Sequence, residues 1–148
     1  ALLPAGAVLV VVRGMILART FPVTQALVPV AINQDLKGIL PSSGTDSEFL
    51  AWLLRGTAKE SLQRLDEAGH GTKALRMDAW TSMLLPVPPR AEQRAIAAFL
   101  VQRTHQLDAL SRESYAAVEL LRERRSALIS AAVTGQIDVR GLVGREAA

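Results

Sequence analysis

The basic residues and glycines between Arg13 and Arg76 are of the types that bind the phosphates and bases of nucleic acids. Glycines in the segment Gly69–Lys73 let backbone N–H groups approach a phosphate, and neighbouring polar side chains add further donors. The candidate contacts in and after this segment are His70, Thr72, Lys73 and Arg76. An ordinary helix-to-strand connection with solvated charges would have the same composition, so both interpretations stay open.

A second set of candidates lies in the first 45 residues, which are otherwise mostly apolar. Arg13 and Arg19 are two of the few charged residues there, and Asp35 is the only acid. Arginine can donate two hydrogen bonds to guanine O6 and N7, and Asn33 or Gln34 could bind an adenine edge. In the alternative interpretation Arg13 pairs with Asp35, and the two amides satisfy backbone groups of a turn.

The sequence lacks the motifs of the common enzyme classes. Gly69–Lys73 does not have the Gly-Lys-Ser/Thr order of a phosphate-binding NTPase loop, and there is no Gly-x-Ser-x-Gly segment. His70 and His105 are not at metal-ligand spacing, and cysteine is absent. We therefore expect no catalytic residue, no metal site and no bound cofactor in this chain.

Short strands and helices in residues 1–89 must position these side chains. The β-branched apolar run Ala7–Val12 predicts a buried central strand. Further strands are predicted over Met15–Phe21, Leu27–Ile32, Gly38–Pro41, Ala74–Met77 and Leu84–Val87. Helices are predicted from a cap at Thr45 or Asp46 through Leu54, over Ala58–Leu65, and in a short turn capped by Asp78. Strands and helices mix without a regular β-α-β order, which predicts an α+β fold.

A long helix is predicted over Arg90–Thr134, which contains neither glycine nor proline, and Gly135 ends it. At ~1.5 Å per residue such a helix is about 60–65 Å long, more than one small core can bury. Its apolar residues recur in steps of three, four and seven, typical of a coiled-coil seam. The predicted interface residues are Ile96, Leu100, Leu107, Leu110, Ala117, Leu121 and Leu128.

Composition limits the remaining choices. The 148 residues suffice for one globular domain plus an extension. A net charge of +3 and a pI near 9.9 are compatible with nucleic acid as a partner. Absence of cysteine agrees with a cytoplasmic location. The apolar opening is too short and too interrupted for a membrane span, so we expect no membrane association.

Two segments of the chain carry a resemblance to a known family. LPVPPRAEQRAIAAFL, from Leu85 to Leu100, and LLRERRSALISAAVTGQIDVRG, from Leu120 to Gly141, resemble the C-terminal conserved region of the specificity subunit of type I restriction–modification systems. The resemblance implies a partial target-recognition domain over 1–89 that binds half of a bipartite DNA site. It further implies a conserved helix over 90–134 that forms an antiparallel coiled coil, and an exit segment over 135–148.

The resemblance also implies a set of partners. These are double-stranded DNA, the modification (methyltransferase) subunit and, through the complex, the restriction subunit. S-adenosylmethionine and ATP would belong to those partner subunits, and this chain would be non-catalytic. The family's subunit usually has two recognition domains and two helices, so we expect a fragment or a split half-subunit that could form a homodimer through the long helix. The rival interpretation is a coiled-coil scaffold protein without DNA binding. Side-chain identity does not specify the DNA sequence recognised.

Overall fold

The computed structural model describes residues 2–68 and 71–141, and it has an α+β architecture. The chain divides into two compact units, Ala1–Val101 and Gln102–Ala148. The strands are β1 (Leu2–Leu3), β2 (Val8–Val11), β3 (Arg13–Gly14), β4 (Val23–Gln25), β5 (Val30–Ala31), β6 (Leu36–Ile39), β7 (Leu65–Glu67) and β8 (Lys73–Leu75). The helices are α1 (Ser47–Gly56), α2 (Ala58–Leu62), α3 (Met77–Thr81) and α4 (Arg90–Val133).

Three small antiparallel sheets form the framework of the first unit. Strand β2 is the centre of a sheet with the order β4-β2-β6, in which Val8 lies opposite Gln25 and Ile39. Val8 and Val10 are fully buried, which confirms the predicted central strand. A second sheet has the order β3-β8-β7, and β1 pairs with β5. Pro29 lies just before β5, a two-residue strand that pairs with β1 on one side. Because proline has no backbone N–H to donate to a sheet, it is suited to a position next to such an edge strand.

The core joins the central sheet to the helices. Its buried residues are Val8, Val10, Val12, Leu17, Phe21, Ala51, Leu54, Leu75 and Trp80. The ring centroids of Phe21 and Trp80 are 6.0 Å apart. The indole Nε1 of Trp80 donates to Ser61 Oγ at 3.0 Å, and Ser61 Oγ donates to Thr57 O at 3.1 Å. The polar atoms of this part of the core are therefore satisfied.

The strand predicted over Met15–Phe21 is wrong, because a 3-10 turn occupies Met15–Ala18. Gly14 precedes it with a φ of 152°, and the backbone N–H groups of Arg19 and Thr20 both donate to Ile16 O. These short-range bonds replace the cross-strand bonds of a ladder. Only Leu17 of the turn is buried, so the apolar residues do not follow the alternation of a strand.

Other segments also differ from the sequence prediction. The strands predicted over Leu27–Ile32, Gly38–Pro41 and Ala74–Met77 lie at Val30–Ala31, Leu36–Ile39 and Lys73–Leu75. Leu84–Val87 forms no strand, since Pro86 and the prolines that follow remove the backbone donors that a ladder needs. Helix α2 ends at Leu62 and its predicted last residue lies in β7 instead. The helix at Met77 begins after Arg76, without a side-chain cap, and Asp78 lies in its first turn.

Helices α1 and α4 agree with the prediction. Asp46 is the N-cap of α1, and its Oδ1 accepts hydrogen bonds from the backbone N–H groups of Glu48 and Phe49. Helix α4 runs from Arg90 to Val133 without interruption. Gly135 follows with a φ of 73°, and the N–H of Gln136 donates to Ala131 O at 2.8 Å, which closes the helix end.

None of the helices in the described ranges is long and apolar enough to cross a membrane.

Candidate nucleic-acid interface

Strand β3 is the place where the candidate polar residues meet. Arg13 lies opposite Ala74 of β8, and Gly14 lies opposite Lys73. On its other side, the backbone N–H of Arg13 donates to Asp35 O at 3.3 Å, so the corner at residues 33–35 lies beside β3. Segments far apart in the sequence are thus neighbours around one short strand.

The β3-β8-β7 sheet has one exposed face with two guanidinium groups. Arg13 and Asp66 both lie opposite Ala74, so their side chains share the face of Ala74. Arg76, two residues beyond Ala74, reaches the same face, and its Nε lies 3.7 Å from Asp66 Oδ1. We call Arg13, Asp66 and Arg76 the basic face. With two cations and one anion, it can attract a phosphate and donate to a base edge.

Lys73 points to the opposite face of the same sheet. Its Nζ donates to Glu67 Oε1 at 2.8 Å. This hydrogen bond, together with the positive charge of Lys73, lowers the pKa of the Glu67 carboxyl below its usual value. At neutral pH the carboxylate and the ammonium therefore hold one another, and a phosphate would have to compete for Lys73.

The glycine-rich loop closes on itself through the backbone. The N–H of Ala68 donates to Thr72 O at 2.8 Å, and Gly71 has a φ of 75°, a conformation that favours glycine. His70 lies outside the described residues. Gly71 and Arg19 line the same open cavity of about 420 Å³, which brings the loop next to the 3-10 turn. Among the described residues, Arg13 and Arg19 form no ion pair.

The two amides of the polar corner are placed differently. Asn33 Oδ1 accepts from the backbone N–H of Asp35 at 3.1 Å, and Asn33 Nδ2 donates to Asp35 Oδ2 at 3.4 Å. Asn33 thus satisfies a turn, as the alternative interpretation has it, and the Asp35 carboxylate faces Asn33 rather than Arg13. Gln34 is exposed and lines an open cavity of about 470 Å³ with Lys37.

A polar contact that the sequence analysis did not anticipate lies at the start of α4. Gln93 is fully buried, and its side-chain amide bonds to backbone groups of Gly44, Asp46 and Pro88. It belongs to the Pro-Pro-Arg-Ala-Glu-Gln junction that begins at Pro88. That motif marked the junction, but only the fold shows what its glutamine contacts.

The predicted seam residues of α4 fall into two groups. Ile96 and Leu100, in the first unit, are partly buried, whereas the later ones lie in the second unit and are exposed. The exposed seam residues are Leu107, Leu110, Ala117, Leu121 and Leu128. Arg122 pairs with Glu119 at 2.6 Å, one helical turn apart. The second unit therefore exposes a stripe of apolar side chains.

The described residues contain no group of three or more histidine, cysteine, aspartate or glutamate side chains placed to hold a metal ion.

A curated relative and a family model match this chain. The type I restriction enzyme EcoR124I/EcoR124II specificity subunit of Escherichia coli is 26% identical over 99 residues, which is 67% of this chain and 24% of that protein. The chain thus spans about a quarter of that relative's length. The model of the type I restriction modification DNA specificity domain matches residues 1–120. Since that match covers most of the chain, the protein belongs to the family of the type I restriction modification DNA specificity domain.

Proposed function

We propose that this chain is a DNA sequence-specificity component of a type I restriction–modification complex and binds one half of a bipartite target. The observation that carries the proposal is the basic face, where Arg13 and Arg76 share one exposed face of the β3-β8-β7 sheet, in a chain of the DNA specificity family. Residues 1–89 act as the recognition domain, 90–134 as the conserved helix and 135–148 as the exit segment.

In this proposal the mechanism is binding rather than bond-making. The backbone N–H groups of the glycine-rich loop, with Thr72 and Lys73, hold phosphates and fix the register on the duplex. Arg13, Arg19 and Gln34 reach base edges, where bidentate donors discriminate between bases. Cleavage and methylation, with ATP and S-adenosylmethionine, belong to the restriction and modification subunits.

The exposed stripe of α4 is proposed as the assembly surface. An apolar heptad stripe of this length is an unfavourable surface for a lone chain in water. It would pack antiparallel against a second such helix and dock the modification subunit. The same helix of another chain could supply the second copy, which gives a homodimer.

A binding assay with a matched control tests the DNA function. We expect the chain to bind random duplex at low salt, measured by fluorescence anisotropy, since even non-specific binding needs phosphate contacts. Arg13→Ala with Arg76→Ala should weaken binding by about tenfold or more, because the two cations by which the basic face attracts the phosphates are lost. Arg112→Ala with Arg125→Ala makes the same change in net charge on α4, so it should leave affinity nearly unchanged.

Two results would contradict the proposal. Absence of binding by the wild-type chain at low salt would favour the coiled-coil scaffold, which is the second candidate function. Equal loss of affinity in the two double variants would show that only net charge matters and that the basic face is not the contact surface.

A further inference from the structure

The first turns of α4 contain one polar side chain that is completely shielded from water. Gln93 has no exposed surface. Its Oε1 accepts from the backbone N–H of Asp46 at 2.8 Å, and its Nε2 donates to Gly44 O at 3.0 Å and to Pro88 O at 2.7 Å. Acceptor and donors of the side chain are therefore all used inside the first unit.

These bonds attach the start of α4 to the segment that leads into α1. Asp46 caps α1, and its Oδ2 lies 3.6 Å from Arg94 Nε. Arg90 Nη1 donates to the carbonyl of Ser43 at 3.0 Å, and Ala97, one turn beyond Gln93, is buried. Residues 90, 93, 94 and 97 lie on one face of a helix, so a single face is fixed against residues 43–46.

The chemistry of this contact explains why an amide is needed. A leucine of similar size would fill the space, but it would leave the N–H of Asp46 and the carbonyls of Gly44 and Pro88 without their bonds to the side chain. A glutamate would put a carboxylate against two carbonyl oxygens. Apolar packing tolerates rotation of a helix, whereas hydrogen bonds weaken steeply when they are misaligned. A buried amide with three hydrogen bonds therefore specifies one orientation for the first turns of α4 within the first unit.

We propose that Gln93 is a positioning residue, which fixes the direction in which α4 leaves the recognition domain and thereby restricts the spacer between two DNA half-sites. The spacer part of this inference rests on the proposed function. The geometric part does not, because it concerns only the attachment of α4 to the first unit.

The geometric part is tested without DNA. The chain has no cysteine, so the double variant Lys59→Cys, Ala98→Cys gives two exposed, specific spin-label sites. Double electron–electron resonance should give one narrow distance distribution, which broadens when Gln93→Asn or Gln93→Leu is added. Gln102→Leu makes the same chemical change at an exposed position of α4 and should leave the distribution narrow.

Gln93→Asn is the deciding variant if Gln93→Leu does not fold, since it keeps a buried amide that is one methylene too short. An unchanged distribution in every Gln93 variant that folds would overturn the positioning role.

The proposed effect of Gln93 on the spacer must be tested by a measurement that a general loss of stability would not change. From a random pool, the wild-type chain selects a duplex, and variants of that duplex then carry the two half-sites at different separations. The wild type should prefer one spacer over its neighbours by about tenfold, and Gln93→Asn should reduce that preference to about twofold. Affinity for a duplex with a single half-site should stay the same.

The remaining outcomes test the attachment of α4 and its role in setting the spacer separately. Loss of half-site affinity in Gln93→Asn would show a role in folding alone and overturn the inference. A retained spacer preference would overturn the spacer role, even if the label distances broaden. Failure of the wild type to bind any duplex would refute the proposed function, and the spacer role with it, whereas the label distances would still decide the attachment of α4.

Discussion

Single residues of the candidate interface are already engaged with their own chain. Lys73 is held by Glu67, Arg76 lies near Asp66, and Asn33 is bonded within its turn. Because both ion pairs are accessible to solvent, each contributes little to stability, and a phosphate can replace the carboxylate at small cost. The net contribution of each cation to DNA binding is then the free energy of its contact with phosphate minus the free energy of the ion pair that it gives up.

Replacement of Glu67 should therefore strengthen DNA binding. Its lowered pKa means that the pair exists above the usual pKa of a glutamate and is lost as the pH falls through the lowered value. Glu67→Gln mimics the low-pH state at neutral pH and releases Lys73. If Lys73 contacts a phosphate, Glu67→Gln should bind random duplex more tightly at the same salt concentration, because the phosphate no longer competes with the carboxylate.

The matched control is Glu113→Gln, which makes the same charge change at an exposed position of α4. It should leave the affinity for random duplex unchanged. An equal affinity of wild type and Glu67→Gln would contradict the role of Lys73 as a phosphate contact.

The buried hydroxyl of Ser61 is a residue on which stability depends. It accepts from the indole N–H of Trp80 in the core, so Ser61→Ala leaves a buried donor without a partner. We expect a loss of about 1–3 kcal/mol in the free energy of unfolding, measured by urea denaturation. Ser126→Ala, at an exposed position of α4, should change it by no more than about 0.5 kcal/mol. Equal effects at the two serines would refute this explanation.

At the scale of elements, strong local patterns were predictable and weak ones were not. The β-branched run at β2, the cap of α1 and the unbroken α4 each follow from local physics, and each is confirmed. The 3-10 turn at Met15–Ala18 was missed because an apolar run there does not reveal which residues are buried. The three-residue strand β7 is fixed by its pairing with β8, a contact that local sequence does not encode.

For the candidate site, sequence reasoning could name residue types but not their pairings. Sequence reasoning named Arg13, Lys73 and Arg76, yet their arrangement depends on the β3-β8-β7 register. Gln93 was missed because two of its three partners lie 47 and 49 residues away in the chain. Only a tertiary contact turns this glutamine from a helix-surface residue into a buried one.

Charges placed on the α4 seam should abolish assembly without unfolding the first unit. Leu121→Asp with Leu128→Asp would bury carboxylates in any coiled coil formed there, which costs several kcal/mol. Sedimentation and pull-down with the modification subunit should show both associations lost, with the circular dichroism of the first unit retained. Tyr115→Asp with Ala116→Asp, exposed and off the seam, is the matched control and should still assemble. Retained partner binding by the seam variant would rule out this surface.

At the scale of the whole molecule, the proposed bipartite target raises the question of what binds the second half-site. A two-fold dimer through α4 would place the same patch of each chain against the other and hold two identical recognition domains. Identical domains related by a two-fold axis bind an inverted repeat. We therefore expect the selected DNA to be a palindrome interrupted by a fixed spacer, if the dimer forms.

Lengthening α4 tests whether that spacer is set by the helix. Seven residues inserted after Gln102 keep the heptad phase and move each domain by about 10 Å away from the seam, or about three base pairs at ~3.4 Å each. Because both chains carry the insertion, the preferred spacer, measured over a series of duplexes, should lengthen on both sides of the two-fold axis. A five-residue insertion would rotate the recognition domain about the helix axis, relative to the seam, by more than a third of a turn. It should therefore weaken binding at every spacer length. A monomer in sedimentation at micromolar concentration would refute the dimer. A preferred spacer length that does not change with the seven-residue insertion would show that α4 does not set the distance between the half-sites.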